Sequence, residues 1–146
     1  MFEKLNELVK ESNQTFLASE ISENAIDSAI NEATGVIVDV LKSELDNGKA
    51  KDLMSFFRGK DAAYQSLTKV MVNKYAHRLN KYFNLSIAEA RSLSEKVIPA
   101  VMGKFVKYTT ENKKEENGVI ALLNFLSGNT VNFENFFLKL NLAKLA

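Results

Sequence analysis

At 146 residues, with 46% hydrophobic and 25% charged side chains, the chain has the composition of one soluble globular domain with a real core. It has no cysteine, which excludes disulfides, thiolate metal sites and cysteine nucleophiles, and fits a reducing compartment. Its net charge of +1 gives no bulk argument for nucleic acid or membrane, and one proline with six glycines is too few for the many tight turns of an all-β protein.

The charge is unevenly placed. Residues 1–34 hold seven acids against two lysines, residues 35–61 balance, and residues 62–146 hold twelve basic residues against six acidic ones. The simplest reading is that the two ends of one fold attract each other. The sharper one is a basic surface for an acidic partner. The start, Met1-Phe2-Glu3-Lys4-Leu5, lacks a basic segment followed by an apolar run, so no signal peptide is expected. No stretch approaches a membrane span, and a cytoplasmic location is the expectation.

Phe2, Leu5, Leu8 and Val9 fall at helical spacing, which predicts a short amphipathic helix over 2–11. A polar loop follows, with Ser19 or Ser22 able to cap the next element. Ile26, Ile30, Ala33, Ile37, Val40, Leu41 and Leu45 trace one stripe of a helix about 24 residues long, and Val36 and Val38 widen it. Asn47-Gly48 ends this helix, because either residue tolerates a left-handed cap. Lys49–Arg58 reads as a short helix stopped by Gly59.

The next helix is predicted from about Ala62 to Phe83. Leu67, Val70, Met71, Tyr75, Leu79, Tyr82 and Phe83 make its apolar face, and Lys69, Lys74, His77, Arg78 and Lys81 its polar face, with no acid among them. Asn84-Leu85 is a turn. Ser86-Ile87-Ala88-Glu89 then fits a capping box, in which serine and glutamate satisfy each other's free backbone N–H groups. Ala90, Leu93, Val97, Ile98, Val101, Met102, Phe105, Val106 and Tyr108 continue as a long helix with Pro99 inside it. An interior proline removes one backbone hydrogen bond and crowds the preceding turn, so a kink or a short break near Lys96 is expected. Thr109–Asn117 is polar and charged. After Gly118 come a short apolar helix, Val119–Ser127, and a last segment over 132–145 that is apolar on more than one side.

The chain repeats itself. Asp52–Gly59 matches Ala121–Gly128 in its apolar and polar positions, Asn47-Gly48 matches Asn117-Gly118, and Gly35-x-Ile37-Val38 matches Gly103-x-Phe105-Val106. These offsets are 69, 70 and 68 residues, close to constant. The reading is an all-α single domain, a compact bundle of about seven helices with an internal twofold repeat. Its units are 2–59 and 62–128, closed by a C-terminal helix over 132–145. The two interior glycines, Gly35 and Gly103, are expected at close helix–helix contacts, where a missing Cβ lets backbones approach.

The second unit also resembles a known group. Leu85-Ser86, Glu89-Ala90 and Val97-Ile98-Pro99-Ala100-Val101-Met102, followed by Asn117-Gly118 and Leu122-Leu123-x-Phe125-Leu126-x-Gly128, are similar to the pattern of the YidB-like bacterial proteins over about residues 62–128. The chain departs from that group in lacking long glycine-rich tracts and in its extra C-terminal helix. The group is helical and of unknown function, so the resemblance implies a fold and transfers no catalytic residue.

No motif announces chemistry. His77 is the single histidine, and on its helix it belongs with the basic face. A carboxylate-bridged two-metal helical site needs a Glu-x-x-His pair on each of two helices, and Asp46-Asn47-Gly48 falls far short of a calcium loop. No phosphate-binding glycine loop is present. No catalytic residue, metal site or cofactor is therefore assigned. Two surfaces are candidates for contact. Lys74, Arg78 and Lys81 share one helix face and, with lysines further on, have the character of a phosphate-contacting surface, although no nucleic-acid-binding signature frames them. Phe133, Phe136, Phe137 and Leu140 share one side of the last helix, which is either buried or open to a second copy or another protein. The favoured function is a non-enzymatic binding or scaffolding module acting by self-association or with a protein partner. A carrier of a small apolar ligand is the first alternative, and nucleic-acid binding through the basic face the second.

Overall fold

The computed structural model describes residues 5–11, 20–47 and 61–111. These residues are helical apart from short connections, and no strand occurs among them, in accord with the all-α reading. Residues 5–11 form α1. A 3-10 turn over Glu23–Ala25 leads into α2 (Ile26–Asp46), followed by α3 (Asp61–Tyr82) and α4 (Ile87–Glu111). The short helix expected over 49–58, the Asn117-Gly118 break, the apolar segment 119–127 and the closing helix 132–145 lie outside the described residues.

One core joins the four helices. Leu5, Leu8 and Val9 of α1, Ile30, Ile37 and Leu41 of α2, Met71, Tyr75 and Leu79 of α3, and Val97, Ile98 and Phe105 of α4 are all buried in it. The 3.6-residue period explains this directly, since each helix turns one apolar arc inward. A polar clasp adds to the apolar packing of α1 on α2. The Asn6 amide donates to Asn31 Oδ1 at 3.2 Å, and Thr34 Oγ1 lies 3.0 Å from Asn6 Oδ1. The same hydroxyl lies 3.0 Å from the Ile30 carbonyl, one turn back in α2, so its single proton has two acceptors in reach.

Helix α2 is shorter than the stripe implies, at 21 residues with Ala25 at its N-cap, and Ser22 makes no side-chain capping bond, while Ser19 lies outside the described residues. Ser22 starts the 3-10 turn with no side-chain capping bond, and its carbonyl accepts the Ala25 N–H at 2.9 Å. The tight turn satisfies one orphan donor by backbone alone, which a side-chain cap would otherwise do.

The turn between α3 and α4 follows the sequence closely. Phe83 N–H donates to the Leu79 carbonyl at 3.1 Å, and Asn84 then takes a left-handed conformation with φ of 59°. Asparagine is among the few non-glycine residues that adopt it readily. The Asn80 side chain donates to the Leu85 carbonyl at 2.8 Å and ties the turn to α3. Across the start of α4, Ser86 N–H donates to Glu89 Oε1 and Glu89 N–H to Ser86 Oγ, each at 3.1 Å. This is the expected capping box. Leu85 and Ala90, which flank the box at the positions of a hydrophobic staple, are both buried.

Two expectations change and a third narrows, since of the kink or short break expected at Pro99 the break is absent. Pro99 does not break its helix, because α4 runs unbroken past it. Pro99 and Glu95, one turn earlier, are both exposed, so the helix loses its backbone bond at Pro99 on its solvated flank, where solvation makes the loss cheapest. Gly35 and Gly103 do not mark close backbone contacts among the described residues. A Cβ built on either meets nothing within 4 Å among the described residues, and Gly103 is exposed. The buried arc of α3 is also rotated. Val70 and Tyr82 lie outside it, while Thr68, Val72 and Ala76 lie within it. Helix α3 contacts both α2 and α4, so its buried arc is wide and centres on Tyr75 between them.

Candidate interaction surface

The α2–α3 seam carries an ion-pair contact between helices centred on Arg78. The Arg78 guanidinium donates to Glu32 Oε2 at 2.8 Å, and its other nitrogen lies 3.5 Å from Asp39 Oδ2. The side chains of Arg78 and Glu32 are 37% and 32% exposed, so the pair is partly shielded from water. The hydrogen bond that Arg78 donates to Glu32 is the main influence holding the arginine pKa above its ordinary value, with the charges of Glu32 and Asp39 acting in the same direction. A sequence reading of α3 alone finds no acid near Arg78. The acids come from α2, so the basic second half does meet the acidic first half at this point.

Of the three basic-face residues, the structure therefore separates Arg78 from the other two. Lys74 and Lys81 are exposed, and neither forms an ion pair among the described residues. Lys81 Nζ sits 5.3 Å from the centre of the Tyr82 ring, within cation–π range. His77 is exposed on the outer side of α3. On α4, Arg91 is occupied as well. It donates to Asn73 Oδ1 at 3.1 Å and pairs with Glu95 at 3.2 Å, one turn along its own helix. The described lysines of this region are spread over two helices, Lys69, Lys74 and Lys81 on α3 and Lys96, Lys104 and Lys107 on α4. Among the described residues, no group of three histidine, cysteine, aspartate or glutamate side chains is placed to hold a metal ion. No helix among them is long and apolar enough to cross a membrane.

The α3–α4 tip carries an exposed apolar pair that sequence reasoning missed. Tyr82 is 61% exposed and Ile87 is 77% exposed, on either side of the Asn84 turn. Tyr82 is read from periodicity as part of the apolar face, yet it is the last residue of α3 and overhangs the core. Ile87 is the first residue of α4 and belongs to the capping box rather than to the buried arc. The available signal was positional, since a residue at the first or last turn of a helix has fewer neighbours than the period implies. Lys81 lies over the Tyr82 ring, and Ile87 stands exposed on the other side of the turn. Such a set suits the contact chemistry of a protein surface. The other expected contact residues, Phe133, Phe136, Phe137 and Leu140, lie outside the described residues.

Compared with known protein families, curated proteins and solved structures, the chain matched none.

Proposed function

We propose that this protein is a non-enzymatic helical binding or scaffolding module that acts in the cytoplasm, by self-association or with a protein partner. The observation that supports this reading is the exposed Tyr82–Ile87 pair with Lys81 at the α3–α4 tip. Large apolar side chains standing in water lose free energy that a covering partner returns, at about 25 cal/mol per Å² of apolar surface buried. Phe133, Phe136, Phe137 and Leu140 are proposed as a second contact on the C-terminal segment.

The proposal includes an architecture of about seven helices on a twofold repeat. Its support is the shared burial of α2 and α4 at the repeat offset. Ile30 and Ile98, Ala33 and Val101, and Ile37 and Phe105 are buried in both helices. A kinship with the YidB-like proteins is proposed on the motif of the second unit, with the Ser86–Glu89 capping box as its structural counterpart. Phosphate contact through Lys74, Arg78 and Lys81 is the weaker reading, because Arg78 is committed to Glu32 and Asp39.

Native mass spectrometry of the gently purified protein tests the self-association arm. A mass at a multiple of the 16.4 kDa chain supports it, provided that Tyr82→Ser with Ile87→Ser, or Phe136→Ser with Leu140→Ser, returns the monomer. A bare monomer that also captures no protein partner by crosslinking overturns the proposal. A monomer with a small extra mass would replace it with the apolar-ligand carrier.

A further inference from the structure

We draw no further inference here: the strongest candidate, the exposed Tyr82 and Ile87 beside Lys81 at the α3–α4 tip, is an unpartnered apolar patch that the proposed function already uses, and nothing in the structure shows what covers it.

Discussion

The Tyr75 hydroxyl donates a hydrogen bond to the Ala29 carbonyl at 2.9 Å, from the core face of α3 to the first turn of α2. Both residues are fully buried. The phenol thus fills apolar volume with its ring and still finds an acceptor for its proton, as a buried tyrosine needs. The same device recurs between α3 and α4, where buried Ser94 donates to the Val72 carbonyl at 2.7 Å. Each bond crosses a helix–helix seam at one point and helps to select one register of packing.

Replacing Tyr75 with phenylalanine keeps the ring and removes the bond. We expect a loss of about 1 kcal/mol, the usual net worth of such a hydrogen bond, read as a shift in the urea midpoint. The phenol also ties stability to pH. Burial first, and the charge of Glu32 second, raise its pKa above the ordinary value. A raised folded-state pKa means that the folded protein keeps a proton that the unfolded chain releases. The phenol's contribution is therefore complete below about pH 10 and is lost as pH rises beyond it. Unfolding followed from neutral to strongly alkaline pH should show wild type losing stability faster than Tyr75→Phe. Parallel curves would refute this account.

Arg78 of the basic second half pairs with Glu32 of the acidic first segment and lies near Asp39. A double-mutant cycle with Arg78→Met and Glu32→Gln should return a coupling of about 0.5–1 kcal/mol, toward the upper part of the range for partly exposed pairs. The coupling should shrink at high salt. Asp39→Asn should do less than Glu32→Gln, since Asp39 is further from the guanidinium and more exposed. Equal effects from the two acids would contradict the geometry.

Gly103 lies on the exposed side of α4, and an added Cβ has open space among the described residues. Gly103→Ala should therefore stabilise the protein by about 0.5–1 kcal/mol, because alanine loses less backbone freedom on entering a helix. Thermal unfolding of the purified variant reads this directly. A lower melting temperature would restore the close-contact role expected of the repeat glycines.

The start of α4 gives an independent test at acidic pH. Ser86→Ala removes the N-cap oxygen and should cost about 1 kcal/mol. Hydrogen bonds from the Ser86 hydroxyl first, and from its backbone second, hold the Glu89 carboxyl below its ordinary pKa. A lowered folded-state pKa contributes stability at neutral pH that is lost as the carboxylate is protonated. The advantage of wild type over Glu89→Gln should consequently narrow as pH falls through the carboxyl range, followed by chemical unfolding. An advantage that does not change with pH would separate Glu89 from the cap.

Local chemistry was legible in the sequence. The 3.6-residue stripes set α2, α3 and α4, the Asn84 turn separates α3 from α4, and Ser86-x-x-Glu89 caps the last of them, because each signal acts within one or two turns of the same chain. It was also legible that Lys74, Arg78 and Lys81 share a face. What only the tertiary structure decided depends on neighbours distant in sequence. The flanking of α3 by α2 and α4 centred its buried arc on Tyr75, drawing in Thr68, Val72 and Ala76 and leaving Val70 and Tyr82 outside. The approach of α2 gave Arg78 its two acids and Tyr75 its acceptor. Among the described residues, open space beside Gly35 and Gly103 removed the contact that their matched positions implied. Periodicity fixes which residues a helix can bury, and only the placement of its neighbours determines which of them it does bury.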